Sequence, residues 1–147
     1  MRNNKGFTLI ELVVVMGIIA ILTGLVTFNF QQARGRARDI QRKNDLKAMQ
    51  KALELYKGDQ DPQAYPAGGG VIHSTLSATL GATDNYLKNL PVDPRESASD
   101  GSWVDYTYTR ISATEYTMTA CLENVSDSAC GATCSTGKGC VYTETQP

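Results

Sequence analysis

From Leu12 to Phe30 the chain carries no charged residue, and the run follows directly on a glutamate. About 20 apolar residues suffice for a helix to cross a bilayer, so this segment constrains the fold before anything else does. It is entered through Lys5-Gly6-Phe7-Thr8-Leu9-Ile10-Glu11. Glu11 is the odd member, because a carboxylate at mid-membrane costs roughly 2.5–3.5 kcal/mol and a plain membrane anchor has no use for one. An ordinary secretory signal fits poorly as well. Its small-residue cleavage site follows the apolar run, whereas here the run ends Thr27-Phe28-Asn29-Phe30-Gln31-Gln32.

Residues 5–22 resemble the class III signal of type IV pilins and type II secretion pseudopilins. The resemblance implies a dedicated peptidase that cuts between Gly6 and Phe7 and methylates the new N-terminal Phe7. Residues 1–6 would then be a leader and Glu11 the fifth mature residue. In that family the glutamate neutralises the N-terminal amine of a neighbouring subunit in the fibre. The physics agrees, since a carboxylate in an apolar bundle is costly alone and less so when paired. Amine and carboxylate lie one helical turn apart, so they can also meet within one subunit. The chain departs from the family pattern at Phe28, where many pilins carry a helix-disrupting proline. Here Gly17, Gly24 and Gly35 weaken the helix instead, each by about 1 kcal/mol relative to alanine.

Charge is distributed unevenly. Residues 31–57 hold eight Lys or Arg against three acids, whereas residues 58–147 hold four against eleven. A basic run invites a nucleic-acid reading, with Arg34, Arg36, Arg38, Arg42 and Lys43 at its centre. No aromatic residue is interleaved among these charges, so a helix face that pairs with acidic partners or lipid headgroups is the better reading, and nucleic acid is not an expected partner. Positive charge beside a membrane helix favours the cytoplasmic side. Four cysteines in a small loop-rich region favour an oxidising compartment instead. The cysteines and the prepilin resemblance together place the C-terminal part outside.

The helical pattern continues past Phe30. Ala33, Ala37 and Ile40, then Leu46, Met49, Leu53 and Tyr56, keep helical spacing, and Lys57-Gly58 supplies a stop. This predicts one helix over 7–57, with 7–30 as its transmembrane and assembly half and 31–57 opening a soluble domain, 31–147. Residues 58–102 read as a loop region with a short helix at Ser74–Leu80 capped by Ser74 and another turn at Tyr86–Leu90. Tyr65-Pro66 and Leu90-Pro91-Val92-Asp93-Pro94 resemble landmarks of major pseudopilins. Residues 103–147 read as an antiparallel sheet and a cysteine loop. Alternation in Trp103–Ile111 and Glu115–Leu122 marks half-buried strands, and a third strand is expected at Cys140–Glu144. The expected fold is α+β and pilin-like, a long helix packed on a small antiparallel sheet.

Cys121, Cys130, Cys134 and Cys140 allow three disulfide connectivities. If Met118, Ala120 and Leu122 face the core, Cys121 points outward, and Cys140 does too if Val141 faces that core. The expected pairing is then Cys121–Cys140 around Cys130–Cys134. Their spacing lacks the paired C-x2-C of common zinc modules, so no metal is expected. Asp93, Glu96, Asp100 and Asp105 offer oxygen ligands of the kind Ca²⁺ takes. The resemblance does not add calcium, because the cysteine loop occupies the place of the family's acidic calcium segment.

His73 is the one histidine, and no nucleophile stands near it at a telling spacing. A P-loop, a G-x-S-x-G elbow and an H-E-x-x-H helix are absent from the sequence, so neither an enzyme nor a cofactor is expected. Asn124-Val125-Ser126 forms a lone glycosylation sequon. The sequence reading is therefore a structural subunit of a type IV filament. A surface pilus ranks first, a type II secretion pseudopilus second, and a membrane-anchored extracellular binding domain a remote third. Its implied partners are its own copies, the prepilin peptidase, an inner-membrane assembly platform and the membrane. It would sit in the inner membrane before assembly and in a periplasmic or extracellular fibre afterwards.

Overall fold

The computed structural model describes residues 6–81, 86–95, 103–135, 137 and 139–146, the side chains of 25–29 excepted. They belong to two compact units, Met1–Gly35 and Arg36–Pro147. Helix α1 spans Leu9–Gly58 with Lys57 in its last turn, as the apolar spacing and the Lys57-Gly58 stop predict. In the first unit the described side chains of α1 are exposed. Among the described residues no helix is long and apolar enough to cross a membrane. The span expected over 7–30 takes in 25–29, so the described apolar run ends at Gly24.

The second unit is built on one face of α1. Leu46, Met49, Ala52 and Leu53 are buried against Tyr106, Tyr108, Tyr116, Met118 and Ala120. Tyr108, Tyr116, Met118 and Ala120 are the inward set of an antiparallel sheet of order β1-β2-β3-β4, and Tyr106 lies just ahead of its second strand. The strands are β1 Gly69–Val71, β2 Thr107–Arg110, β3 Tyr116–Leu122 and β4 Cys140–Thr145. Period-two alternation has the predicted consequence, since Tyr108 and Met118 are fully buried while Thr109 is exposed. The opposite face carries threonines in register, Thr107 with Thr119 and Thr143, and Thr109 with Thr117 and Thr145.

Five expectations need correction. The apolar stripe does not begin with Ala33, Ala37 and Ile40, which are exposed. The buried face runs back from Leu46 through Arg42 and Asp39, so charged residues hold the core positions there. Strand β1 lies in a glycine run read as loop. It pairs Gly69 with Thr109, and with glycine at two of its three positions it offers no alternation to test. Residues 103–106 are not strand; β2 begins at Thr107. The short helix begins earlier than Ser74, as α2 Ile72–Leu76 followed by a π-helical turn Ser77–Gly81. Its phase is set by burying Ile72, Leu76 and Leu80, and Ser74 donates back to the Val71 carbonyl at 2.9 Å rather than capping.

The turn of helix expected at Tyr86–Leu90 is not formed. Pro91 keeps the preceding residue out of helical geometry, and Tyr86 is held by Asp59 through its hydroxyl at 3.0 Å and by an edge-on contact with Tyr56.

Burial along α1 sets a sharp contrast between two leucines. Leu53 is fully buried and Leu55 is 60% exposed. Leu53→Ala should cost about 2–5 kcal/mol, while Leu55→Ala should stay within about 0.5 kcal/mol. Urea denaturation of the detergent-solubilised chain measures both.

Candidate assembly site

The N-terminal motif ends in a helix cap. Thr8 precedes α1 and Glu11 stands three residues on, the spacing of a capping box. The Glu11 Oε2 accepts from the Thr8 backbone N–H at 2.9 Å and from its hydroxyl at 2.8 Å. The Thr8 Oγ1 accepts in turn from the Glu11 N–H at 3.4 Å. Thr8 was not singled out by the sequence reading, although Thr-x-x-Glu before an apolar run is a helix-start signal. Phe7 is 90% exposed, and Gly6 has open space where a side chain would begin. Residues 1–5 of the expected leader lie outside the described residues.

In the second unit three residues of the basic segment, Arg38, Arg42 and Lys43, are taken up by the fold. Arg42 has a fully buried side chain. Its Nε meets Asp93 Oδ2 at 2.6 Å and its Nη2 meets Asp93 Oδ1 at 3.0 Å, a two-pronged pair. Its Nη1 donates to Asp39 at 2.8 Å and to Glu123 at 3.0 Å. The guanidinium also lies 4.6 Å from the centre of the Trp103 ring. Burial alone would lower the Arg42 pKa, but the hydrogen bonds and charges of Asp93, Glu123 and Asp39 raise it above the ordinary arginine value.

Arg38 adds two bonds of 2.6 Å to Glu123, and Arg95 approaches that carboxylate at 3.6 Å. Three guanidiniums therefore face three carboxylates. Asp39 also accepts the backbone N–H groups of Glu123 and Asn124 at 2.8 and 2.9 Å. Lys43 reaches Asp127 at 2.7 Å.

These bonds tie the loop after β3 to α1, and the disulfides close that same loop. The structure pairs Cys121 with Cys134 and Cys130 with Cys140, which corrects the expected Cys121–Cys140 and Cys130–Cys134. Register gives the reason. Cys121 stands opposite Val141, and Leu122 stands opposite Cys140. Opposed residues share a face and neighbours along a strand do not. Cys121 and Cys140 therefore lie on opposite faces of the sheet. Gly139 makes the turn into β4 with φ of 75°, and a Cβ there would fall 2.2 Å from the Leu122 carbonyl oxygen.

Of the five basic residues first considered for nucleic acid, Arg38, Arg42 and Lys43 are neutralised by carboxylates, and the Arg34 guanidinium stacks 4.5 Å from the Phe30 ring. Among the proposed oxygen ligands, Asp93 is taken by Arg42, and Asp105 accepts the Asp93 and Tyr106 N–H groups at 3.1 and 2.7 Å. Glu96 and Asp100 lie outside the described residues. Among the described residues no group of three or more His, Cys, Asp or Glu is placed to hold a metal. His73 is exposed.

Peptide mapping of the oxidised chain should return Cys121–Cys134 and Cys130–Cys140. Acid should loosen the cluster in a defined way. Burial pushes the Glu123 carboxyl up, but hydrogen bonds and charge from Arg38 and Arg42 outweigh it and hold it below the ordinary range. Its contribution is fully present above the unfolded value of about 4.3 and is lost as pH falls through the lower folded value. Asp45 acts in the opposite sense, because burial raises it, so acidification first relieves Asp45 and then undoes Glu123. Thermal melting should show the steep loss below about pH 4, and Arg38→Gln should make that loss smaller.

Residues 1–27 match a family described as the prokaryotic N-terminal methylation motif. The chain is 37% identical over 100 residues to the type II secretion system core protein G of Pseudomonas aeruginosa, covering 63% of this chain and 69% of that protein. It is 35% identical over 99 residues to the protein of that name from Escherichia coli K12, covering 63% and 67%. It is also 46% identical over 61 residues to the type IV wide pilus major component PilA4 of Thermus thermophilus, covering 42% and 47%. No solved structure matches the chain. With the long helix, the antiparallel sheet and the capped N-terminal motif, these likenesses establish that the chain belongs to the family of type IV pilins and type II secretion pseudopilins.

Proposed function

We propose that this chain is the major subunit of a type II secretion pseudopilus, a protein whose work is assembly rather than catalysis. The observation that carries the reading is the match to protein G over 69% of that protein's length. This reverses the order given by sequence reasoning, in which a surface pilus came first. A stapled loop says that the domain folds where thiols oxidise, and a pilus and a pseudopilus share that condition. The surface pilus remains as the second reading because of the 46% identity to PilA4.

In this account residues 1–6 are a leader removed between Gly6 and Phe7, and the freed Phe7 amine is methylated. Residues 7–30 anchor the precursor in the inner membrane and later pack in the fibre interior. Residues 31–147 form the domain outside, with the helical segment 31–57, the loop region 58–102, and the sheet and cysteine loop 103–147. Prepilin peptidase and an inner-membrane assembly platform are the partners before polymerisation, and further copies of the chain are the partners after it. Glu11 carries assembly. Its carboxylate already has the Thr8 donors within its own chain, so it enters an apolar bundle partly satisfied. Pairing with the amine of a neighbouring subunit would lower its cost further.

Intact-mass measurement of the membrane-extracted chain should find Met1–Gly6 missing and Phe7 methylated; retention of the leader in an assembling host would contradict the proposal. Glu11→Ala should leave both disulfides formed and sharply reduce fibre yield. Deleting the chain from its host separates the two readings, since loss of protein secretion with surface fibres intact supports the pseudopilus.

A further inference from the structure

The outward side of α1 in the second unit carries charge that the fold leaves unmatched. Arg36, Ile40, Asn44, Lys47, Lys51 and Leu55 follow one another at three- or four-residue intervals, and all are exposed. They form one stripe, opposite the face that buries Leu46, Met49 and Leu53. The acids of this part of the helix are occupied elsewhere. Asp39 is bound to Arg42, Asp45 accepts the Tyr106 hydroxyl at 2.7 Å, and Glu54 accepts the Tyr65 hydroxyl. Lys43, Lys47 and Lys51 stand at successive i, i+4 positions, where like charges repel by a few tenths of a kcal/mol per pair. Lys43 has Asp127. Arg36, Lys47 and Lys51 have no partner among the described residues. Ile40 and Leu55, 61% and 60% exposed, bracket the two lysines with apolar surface.

The complementary charge lies at the end of the unit where α1 stops. Asp59 and Asp61 are exposed just past Gly58, and Glu115 is exposed in the turn between β2 and β3. The Tyr65 N–H donates to the Ala113 carbonyl at 2.9 Å, which brings that turn to the segment carrying the two aspartates. The C-terminal end of a helix is itself partially negative, so the three carboxylates add to a field of their own sign, offset in part by Lys57, which lies over the Tyr65 ring.

We propose that the cationic stripe Arg36–Lys47–Lys51 docks on the Asp59–Asp61–Glu115 end of a second copy of this chain. The charges restrict the kind of contact. A twofold interface centred on the stripe would set it against itself and bring lysine to lysine. A head-to-tail contact sets it against a different patch of opposite sign. Repeated without closing, a contact of that kind generates a helical filament. The apolar Ile40 and Leu55 fit a protein surface better than an ion atmosphere, and complementary charge fixes register and speeds encounter. The proposal rests on the filament reading and names the surfaces that reading needs.

The test is fibre yield from the full chain in an assembling host, with disulfide formation and protease resistance confirming that each variant folds. Lys47→Glu with Lys51→Glu should lower the yield by about tenfold or more, since like-charge contacts cost several kcal/mol and each 1.4 kcal/mol is a factor of ten. Adding Asp61→Lys with Glu115→Lys to that chain should restore it. Undiminished assembly of the first variant, or failure of the second pair to rescue a folded chain, overturns the contact. If the first variant assembles normally but its membrane-extracted chain no longer binds vesicles of phosphatidylcholine with phosphatidylserine, the stripe meets lipid and the proposal is wrong. If the unmodified chain forms no fibre at all, the filament reading falls first and the contact with it.

Discussion

The rest of the domain depends on one buried guanidinium. Arg42 sits in α1 with no exposed side-chain surface and is met by carboxylates from three places: Asp39 on α1, Asp93 in the loop before β2, and Glu123 just past β3. A charge out of water is costly, and only close, well-aligned partners repay it. That condition fixes the chain in three places at once. The loop that brings Asp93 must lie against α1, and β3 must end where Glu123 can reach. The strand pairing and the helix register follow from each other through this contact.

This arrangement also explains the charge asymmetry along the chain. Part of the surplus of Lys and Arg in 31–57, namely Arg38, Arg42 and Lys43, and part of the surplus of acids beyond it, namely Asp93, Glu123 and Asp127, are the two halves of one internal set of ion pairs. Exposed pairs contribute little, about 0–1 kcal/mol each. The buried ones act mainly by penalising any fold that leaves them unpaired. The conflict between the basic cluster and an outside domain is reduced on the same ground. Three of its five charges, Arg38, Arg42 and Lys43, are matched once the cysteine loop closes over them.

Much of the fold was legible because α1, β2 and β3 show strong periodicity. Leu46, Met49 and Leu53 mark the helix face, and Tyr116, Met118 and Ala120 mark the inward face of β3. The parts that were not legible failed for physical reasons. Apolar patterning cannot find a core position filled by Arg42, so the stripe was extended through Ala33, Ala37 and Ile40 on the wrong face. A three-residue strand with two glycines has only Val71 to show and so no alternation. The cysteine pairing turned on a one-residue register, Leu122 against Cys140, and alternation within single strands does not contain that information. At the N-terminus Glu11 was recognised from the prepilin signal, while the capping box it makes with Thr8 is a local feature that the same residues carry openly.

The direct measure of this account is a double-mutant cycle on Arg42 and Asp93, read by chemical denaturation of the solubilised chain. Removing one member of a buried pair strands the other and should cost about 3–5 kcal/mol. Arg42→Leu and Asp93→Leu should each be strongly destabilising. The double variant should be far less destabilised than the sum, with a coupling of about 2 kcal/mol or more. Two single losses that simply add would show that the guanidinium and the carboxylate stabilise the domain independently, and Arg42 would not be the anchor described.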